Sequence, residues 1–404
     1  MKKLSLGLGK ALNITLEHIP PLSAENCNVA EITDRIAASD LYALVDAPSI
    51  DSSLKDGYAV LSHEVADATP EKPVHLKLVG HMEAGGKTDI EVKPGTTVRV
   101  LTGARIPAGA DAVLSEEFAK PEGDEVLVMN FAEPGRNIQP RGRDVEFRKC
   151  ILKQGQHITP GITGLVAAAG HSTVPVFKNP TVAILGTGDE IVLPGEPLIE
   201  GKLYASNILT INAWCKRYRM KTLLSVVNDD FDTLTNTLKT ISADADAVIT
   251  SGGAWTGDRD LVAQVLEGLG WHEYFHRIRI GPGKAVGFGM LDKKPVFILP
   301  GGPSSNLMGF LQIALPGLLA LSGDAHPSLP RINARLATDL QGRQRDWTDF
   351  FFGTLEEVEG STVFHPIQGS SRLRNIAEVE AIAAIPEEQE FLEKGSVISV
   401  QVLK

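Results

Sequence analysis

Cysteine, basic charge and long apolar runs are all scarce in this sequence. Three cysteines stand far apart among 404 residues and no CxxC pair exists, which excludes a disulfide framework and a zinc ribbon. The longest apolar stretch, 307–321, is interrupted by a glutamine, a proline and two glycines, so it is too short and broken to span a bilayer. The N-terminus lacks a continuous apolar run with a small-residue cleavage site, which argues against a signal peptide. We therefore expect a cytoplasmic protein that does not enter a membrane.

Acidic residues outnumber basic ones, 50 to 39, and the formal net charge is −11. That sign argues against general binding to nucleic acid or to anionic membranes. The chain is longer than one ordinary core supports, so we expect two to four domains. A hydrophobic content of 43% with 22% charged residues is typical of globular rather than disordered chains.

Apolar patterning divides the chain into regions of different type. Between 181 and 325, buried-type strands alternate with helical segments, which predicts a doubly wound α/β domain with ligands at the strand ends. Residues 46–140, and those after Pro330, show short Val- and Leu-rich runs between turns, typical of small β domains. Residues 24–38 carry apolar side chains at helical spacing, so we expect a helix there.

A glycine-rich turn at 251–260, SGGAWTGDRD, joins a predicted strand to a predicted helix. Its backbone N–H groups could surround an anion at the helix start, whereas Asp258 and Asp260 would repel phosphate unless a cation such as Mg²⁺ lay between them. A plain turn with aspartate caps is the alternative. Polar turns at 186–190 and 300–305 follow other strands of the same domain, so the three predict a binding site at one sheet edge.

Three familiar motifs fail on inspection. HEYFH at 272–276 matches the HExxH zinc motif, but its flanks alternate with strand period. Residues i and i+4 of a strand lie about 13 Å apart, too far to share one zinc ion. The turn at 186–188 lacks the third glycine of a dinucleotide fingerprint. GPGK at 281–284 lacks the hydroxyl residue of a Walker loop, and Lys284 is either a phosphate contact or a solvated loop lysine.

Two further segments lie outside the α/β region. Asp56 lies in a polar turn, which an ordinary Asp-Gly turn also explains. PRGRD at 140–144 could grip an anion, or could form a surface ion-pair cluster.

Taken in order, these segments resemble the molybdopterin molybdenumtransferase family, the type that includes the gephyrin E domain. The resemblance runs from about residue 10 to the end of the chain. It rests on DGYA at 56–59, TGARIPAGADAV at 102–113, PGRN at 134–137, RGRD at 141–144, TGDE at 187–190, SN at 206–207, DD at 229–230, SGG and Asp260 in the 251–260 turn, PGK at 282–284, LPGGP at 299–303 and GS at 369–370.

The resemblance implies four domains in an elongated homodimer. They are a linker domain (1–45 and 141–178), an inserted β domain (46–140), a molybdopterin-binding α/β domain (179–326) and a C-terminal β barrel-like domain (327–404). It also implies an active cleft between the α/β domain of one subunit and the inserted domain of the other.

The implied activity is insertion of molybdate into molybdopterin that arrives adenylylated, with release of AMP and with Mg²⁺ as the divalent cation. A molybdopterin adenylyltransferase would then act upstream. The resemblance assigns catalytic roles to Asp56, Thr102, Asp144, Glu190, Asp229 and Asp260, with Glu190 and Asp260 as metal ligands. It assigns ligand binding to Gly252, Gly253, Thr256, Gly257, Lys284, Pro300, Gly301, Pro303 and Ser370.

Several positions depart from the family pattern. Basic residues expected by the resemblance are replaced by Gln139, Gly281 and Phe352, and an asparagine by Gly302, whereas Lys55 stands where a methionine is expected. These departures describe a divergent paralogue. They leave open use of tungstate or another ligand, or a catalytically weak binding or scaffold protein with the same fold. A scaffold has no need of clustered carboxylates, which favours an enzyme.

Overall fold

A six-stranded sheet organises the middle of the chain. The computed structural model describes residues 6–86, 89–252, 261–368 and 372–404. Four strands of this sheet pair in parallel, and two more pair antiparallel at one edge. Their order is Lys221–Val227, Thr181–Thr187, Ala247–Ser251, Lys294–Leu299, Gly287–Leu291 and His272–His276.

Helices cover both faces of this sheet, because alternate strand residues point to opposite sides. Val182 and Ile184 belong to one buried cluster, whereas Ala183 and Leu185 belong to another. The predicted doubly wound α/β domain is confirmed. Its helical segments are Ser206–Arg217, Phe231–Ala243, Leu261–Gly268, Pro303–Gly309, the π-helical Phe310–Ala314 and Leu315–Leu321, and two short strands, Ile191–Val192 and Leu203–Tyr204, pair beside them.

The last three helical segments form one continuous helix, Pro303–Leu321, of 19 residues. It is long and apolar enough to cross a bilayer, yet 83% of its most apolar window is buried within the fold. The widened π-helical turn ends at Ala314, two residues before Pro316, which has no backbone N–H to donate. This helix is therefore a core element of the α/β domain.

The linker region consists of small paired elements. Its strand pairs are Ala24–Asn28 with Thr173–Phe177 and Leu41–Tyr42 with Cys150–Leu152, and its helices are Leu8–Glu17 and Pro160–Ala168. The helix expected over 24–38 is wrong. Strand Ala24–Asn28 is followed by the 3-10 turn Val29–Glu31, and the Asn28 side chain accepts from the Ala30 N–H at 2.9 Å. Pairing with a distant strand outweighed the local helical spacing.

A second six-stranded sheet forms the β domain predicted from the Val- and Leu-rich runs. Strands Ser52–Ser53 and Ile138–Gln139 pair where the chain enters and leaves it. The 3-10 turn Glu116–Phe118 connects two strands of this sheet, Ala112–Ser115 and Ala119–Glu122. The strand order is Ala112–Ser115, Gly57–Val60, Thr96–Val100, Val74–Met82, Glu125–Val128 and Ala119–Glu122.

The C-terminal region closes into a five-stranded barrel, because strand Thr348–Val358 pairs on one side with Ser361–Pro366 and on the other with Ala381–Ile385. The strands in order around the barrel are Thr348–Val358, Ser361–Pro366, Arg331–Leu336, Val397–Val402 and Ala381–Ile385. Strands Leu340–Gln341 and Phe391–Leu392 pair beside it, and helix Arg372–Glu378 lies between two of its strands in sequence. Strand Ile280–Gly281 from the α/β region extends this sheet by pairing with Thr348–Val358.

One buried cluster joins three parts of the chain. It includes Ala11 of the N-terminal helix, Phe310 of the long helix and Ile382 of the barrel. Where helix and barrel meet, Gln312 and Gln401 donate to each other through their side-chain amides, at 2.7 and 3.3 Å. The barrel and the α/β domain are thus held by a shared core with a satisfied polar pair inside it.

Candidate functional site

A pocket of about 380 Å³ opens at the carboxyl ends of the parallel strands. Strand ends supply Thr187 and Ser251 to its wall, and the turns that follow supply Glu190, Gly252 and Gly301. This is the edge at which doubly wound sheets bind ligands. The rest of its lining is mainly apolar, namely Ile191, Leu198, Leu203, Tyr204, Ala205, Ile208, Pro303 and Leu373.

The pocket mouth exposes apolar side chains to solvent. Leu203 is 63% exposed and Leu198 is 50% exposed, and Tyr204 stands beside them. Large apolar side chains gathered around a concave site are typical of a surface that a ligand covers. The polar strand ends and the apolar mouth together suit a ligand with an anionic part and a flat ring.

Two glycine turns touch at the floor of this pocket. Gly252 has φ +107°, and a Cβ on it would lie 2.2 Å from the Thr187 carbonyl oxygen, so only glycine fits there. The Gly252 N–H donates to the Leu299 carbonyl at 3.2 Å. Buried Asn306 then donates to the Ser251 hydroxyl at 2.9 Å and to the Pro300 carbonyl at 3.0 Å. These bonds fix the two turns against each other.

The adjacent aspartates of the DD pair have different tasks. Asp229 accepts a hydrogen bond of 2.5 Å from the Thr187 hydroxyl at the strand end. Asp230 caps the helix Phe231–Ala243 by accepting from the Thr233 N–H at 2.8 Å. The hydrogen bond from Thr233 lowers the pKa of Asp230. Of the two, only Asp229 is therefore bonded to a side chain that lines the pocket.

Glu190 reaches the pocket by folding back over the turn before it. A Cβ on Gly188, which has φ +150°, would lie 2.5 Å from a Glu190 carboxylate oxygen. Glycine at 188 thus lets this carboxylate lie against the backbone. The Glu190 carbonyl also accepts from the Leu203 N–H at 2.7 Å, which ties the turn to the apolar mouth.

A second pocket of about 380 Å³ adjoins the same loop on its other side. Pro300 and Ser305 line it, whereas Gly301 and Pro303 line the first pocket. Lys284 lies in this second pocket, with its ammonium 6.0 Å from the centre of the Trp347 ring. Lys284 thus lines this pocket and is at the same time exposed to solvent.

The β domain and the linker segment after it carry a separate group of two hydrogen-bonded polar pairs. Asp56 accepts from the Thr102 N–H at 2.6 Å and from the Thr102 hydroxyl at 2.7 Å, and these bonds lower the pKa of Asp56. Asp144 accepts from the Gln139 amide at 2.7 Å. Among the described residues, no hydrogen bond links this group to the strand-end pocket.

In the RGRD segment, Arg141 forms an ion pair with Asp46. Its side chain contacts the Asp46 carboxylate at 2.6 and 2.7 Å. A backbone bond from the Phe147 N–H and the Arg141 side chain lower the pKa of Asp46. The ion-pair alternative for this segment therefore holds for Arg141.

The structure sorts the predicted site residues into groups. The first pocket contains Glu190, Gly252, Gly301 and Pro303, with Asp229 bonded to its Thr187, and the second contains Lys284 and Pro300. Asp56 and Thr102 lie in the β domain, and Asp144 lies in the linker segment that follows it. The remaining predicted positions lie outside the described residues, namely Gly253, Thr256, Gly257, Asp260 and Ser370.

Sequence reasoning missed several pocket residues. Asn207 donates to the Gly301 carbonyl at 2.7 Å, and the SN motif was a signal for it. Arg343 and Trp347 line the second pocket from the C-terminal region. No motif points to them, because contacts between distant segments leave no local pattern.

The HExxH match is confirmed as a strand, His272–His276, paired with Gly287–Leu291. Burial lowers the pKa of His276, with a smaller contribution from Arg277. Within the part of the chain that the structure describes, no three His, Cys, Asp or Glu side chains group to hold a metal ion.

Comparison with known proteins gives matches along nearly the whole chain. Residues 6–170 match the MoeA N-terminal region (domain I and II), residues 183–320 a probable molybdopterin binding domain, and residues 333–403 the MoeA C-terminal region (domain IV).

Whole-length relatives agree with these regions. A molybdopterin molybdenumtransferase 2 of Mycobacterium tuberculosis is 30% identical over 371 residues, 90% of this chain and 91% of the relative. A molybdopterin molybdenumtransferase of Haemophilus influenzae is 29% identical, covering 98% of both chains. A solved molybdopterin biosynthesis MoeA protein of Pyrococcus horikoshii superposes with a TM-score of 0.84 at 27% identity, over 98% of this chain and 100% of that one. The chain therefore belongs to the molybdopterin molybdenumtransferase family and has the fold of a transferase of molybdenum cofactor biosynthesis.

Proposed function

We propose that this protein inserts molybdate into molybdopterin that arrives adenylylated, and that AMP is released. The observation that supports this proposal best is the strand-end pocket, which combines glycine turns, the Glu190 carboxylate and an apolar mouth at one sheet edge. Backbone N–H groups of glycine turns suit a pyrophosphate, and apolar side chains suit a pterin or adenine ring. The relatives named as molybdopterin molybdenumtransferases support this assignment.

In this proposal Asp229 and Thr187 act as a unit at the strand end. The hydroxyl of Thr187 holds the Asp229 carboxylate in one orientation, so that it can accept a proton or orient water beside the phosphates. The described glycines Gly252 and Gly301 form the floor. Gly253, Thr256, Gly257 and Ser370 are proposed to complete the binding surface, together with Lys284, Pro300 and Pro303.

Magnesium fits the donor chemistry at this pocket. Mg²⁺ prefers one or two carboxylates with phosphate oxygens and water over an all-protein cage, and Glu190 supplies one carboxylate to the pocket wall. Glu190 and Asp260 are proposed to hold it. The ion would neutralise charge on the pyrophosphate.

We also propose that the working unit is a homodimer. Asp56, Thr102 and Asp144 make no hydrogen bond to the strand-end pocket of their own chain, within the described segments, so a partner subunit is the simplest way to combine the two. Large apolar side chains are exposed on the linker, where Leu44 is 53% and Phe147 is 46% exposed. Light scattering should give twice the chain mass of 43.3 kDa; a monomer at micromolar concentration would contradict this.

The substrate requires an upstream enzyme that adenylylates molybdopterin, so we propose a molybdopterin adenylyltransferase as a partner. A cytoplasmic location fits the synthesis of a reduced, soluble cofactor. The net charge of −11 leaves nucleic acid and membranes outside the proposed partners.

Two alternatives follow from the replaced positions Gln139, Gly281, Gly302 and Phe352. The protein could use tungstate or another ligand, or it could bind the pterin with little turnover. The family relatives favour the molybdate transferase, and the experiment below separates all three.

The test measures AMP release from adenylylated molybdopterin, with molybdate or tungstate, in wild-type protein and in two matched variants. Asp229→Asn removes a charge at the pocket and should slow AMP release roughly 10- to 100-fold, the worth of one charge-assisted interaction. Asp230→Asn is the control, because asparagine caps a helix about as well as aspartate; its rate should stay within about twofold.

The outcomes separate the alternatives. Faster AMP release with tungstate than with molybdate would identify tungstate as the preferred substrate. If folded wild-type protein released no AMP with either anion, transferase activity would be excluded and the binding or scaffold role would be supported. Equal rates for the two aspartate variants would remove Asp229 from the site.

A further inference from the structure

A third pocket, of about 580 Å³, lies where three parts of the chain meet. The start of the N-terminal helix Leu8–Glu17 forms one wall, Arg279 and Gln312 of the α/β region form the second, and barrel residues form the third. Among the described residues, it shares no lining side chain with the strand-end pocket or with the second pocket. It is therefore a separate cavity, which the proposed reaction does not use.

The walls of this third pocket are apolar and its inner end is polar. Leu12 of the helix and Phe350 and Pro386 of the C-terminal region supply apolar surface. The inner end contains Gln312 and Gln401, which are buried and bonded to each other. Sites of this kind hold a ligand by its apolar body, and a few polar groups fix its orientation.

Cations outnumber carboxylates around the third pocket. Lys10, Arg279 and Arg331 line it, whereas Glu387 is the one carboxylate among its described lining residues. Three positive charges against one negative charge leave the pocket at +2, on a chain whose formal net charge is −11. A local excess of this sign attracts an anionic ligand to the pocket.

The Glu387 carboxylate is already engaged inside the pocket. It accepts from Arg279 Nη2 at 3.1 Å and from the Leu8 N–H, at the start of the helix, also at 3.1 Å. By contrast, Lys10 and Arg331 are exposed, and no carboxylate of the described residues lies within 4.0 Å of either cation. The uncompensated charge is therefore at Lys10 and Arg331, on the outer part of the pocket.

We propose that the third pocket binds a small amphipathic carboxylate, with its apolar body against Leu12 and Phe350 and its carboxylate at Lys10 and Arg331. Charge complementarity selects this class of ligand, because a mainly apolar cavity with two uncompensated cations matches an apolar body that carries an anion. The ligand contacts the helix, the α/β region and the barrel together. Since the unfolded chain lacks this junction, the bound ligand also raises the melting temperature.

Two competing explanations make different predictions. If Lys10 and Arg331 are only solvated surface cations beside a water-filled cleft, the pocket has no preference for an anion. If a second copy of the chain covers the pocket, removal of the two cations changes the oligomeric mass. Affinity, melting temperature and mass must therefore be measured on the same samples.

The experiment is calorimetric titration of the full chain with sodium 3-phenylpropanoate and with sodium octanoate. The comparison ligands are 3-phenylpropylamine and n-octylamine, which have similar bodies and the opposite charge. Wild-type protein should bind at least one carboxylate, and it should bind the amine of the same body at least about 10-fold more weakly. Thermal unfolding should show a higher melting temperature with that carboxylate present.

Variants locate the binding site. Lys10→Gln combined with Arg331→Gln should weaken carboxylate binding roughly 10- to 100-fold, the loss of charge-assisted contacts. Leu12→Ala should weaken it roughly fivefold through lost apolar contact. Arg335→Gln is the matched control, since Arg335 is exposed on the same strand, Arg331–Leu336, and does not line the pocket; its affinity should stay within about twofold.

The outcomes decide between these explanations. Wild-type protein that binds neither carboxylate at about 1 mM, or that binds the amine equally well, overturns the proposal. Wild-type affinity in the folded double variant also overturns it. Should that variant fail to fold, Arg331→Gln alone replaces it, and unchanged affinity there overturns the proposal. A double variant whose mass by light scattering differs from that of wild type assigns the pocket to a second copy and overturns it as well.

Discussion

At the scale of single residues, neighbours decide what a residue type does. Asp229 and Asp230 are adjacent and chemically identical, yet one accepts from the strand-end Thr187 hydroxyl and the other caps a helix. The two pocket glycines differ in the same way. A Cβ on Gly252 would meet a backbone carbonyl at 2.2 Å, but a Cβ on Gly301 would find its nearest atom at 3.8 Å.

This difference gives a prediction on stability. Gly252→Ala should destabilise the protein by about 2 kcal/mol or more, because it combines φ +107° with a clash against an immobile carbonyl. Gly301→Ala should change stability by no more than about 0.5 kcal/mol. Differential scanning calorimetry of both variants measures this. Equal melting temperatures for the two would show that the turn relaxes and that Gly252 is not required.

The residue types of the candidate site could be predicted because each lies in a short ordered motif. Asp56, Glu190 and Asp229 are predicted from such motifs, and the structure gives Asp56 and Asp229 a hydroxyl partner each. Arg343 could not be predicted. It reaches the Lys284 pocket from 59 positions along the chain, and only the pairing of Gly281 with Asp349 brings the segments together.

At the scale of elements, hydrophobic period predicted strands and helices well where an element is long and buried. Helix Ser206–Arg217 lies in the region 181–325, where alternating strands and helices are expected, and strand Arg331–Leu336 lies after Pro330, where short strands are expected. Period also rejected HExxH, and His272–His276 is a strand. It failed over 24–38, where apolar residues at helical spacing belong to a short strand and a 3-10 turn. In this segment, pairing of Ala24–Asn28 with Thr173–Phe177 determines the secondary structure. A local sequence pattern does not indicate a strand partner so distant along the chain.

At the scale of the whole molecule, the α/β domain and the barrel share one core. Sequence reasoning predicted both units but not their junction, because the residues that meet there are far apart along the chain. The junction matters for the site, since the Lys284 pocket takes one wall from each unit. Any loosening between the two units should therefore widen that pocket.

The Gln312–Gln401 pair allows the junction to be tested directly. Both side chains are buried, at 6% and 8% exposure, and each amide satisfies the other. Gln312→Leu or Gln401→Leu alone leaves one buried amide without its partner and should cost about 1–3 kcal/mol. The double variant removes both amides, so its loss should be smaller than the sum of the single losses by about 1 kcal/mol or more.

Urea unfolding of wild type, the two single variants and the double variant gives the free energy of unfolding of each. Gln154→Leu is the control, because Gln154 is exposed, and its free energy of unfolding should lie within about 0.5 kcal/mol of wild type. Strictly additive losses would mean that the two amides do not stabilise each other and that the apolar part of the shared core alone holds the units together.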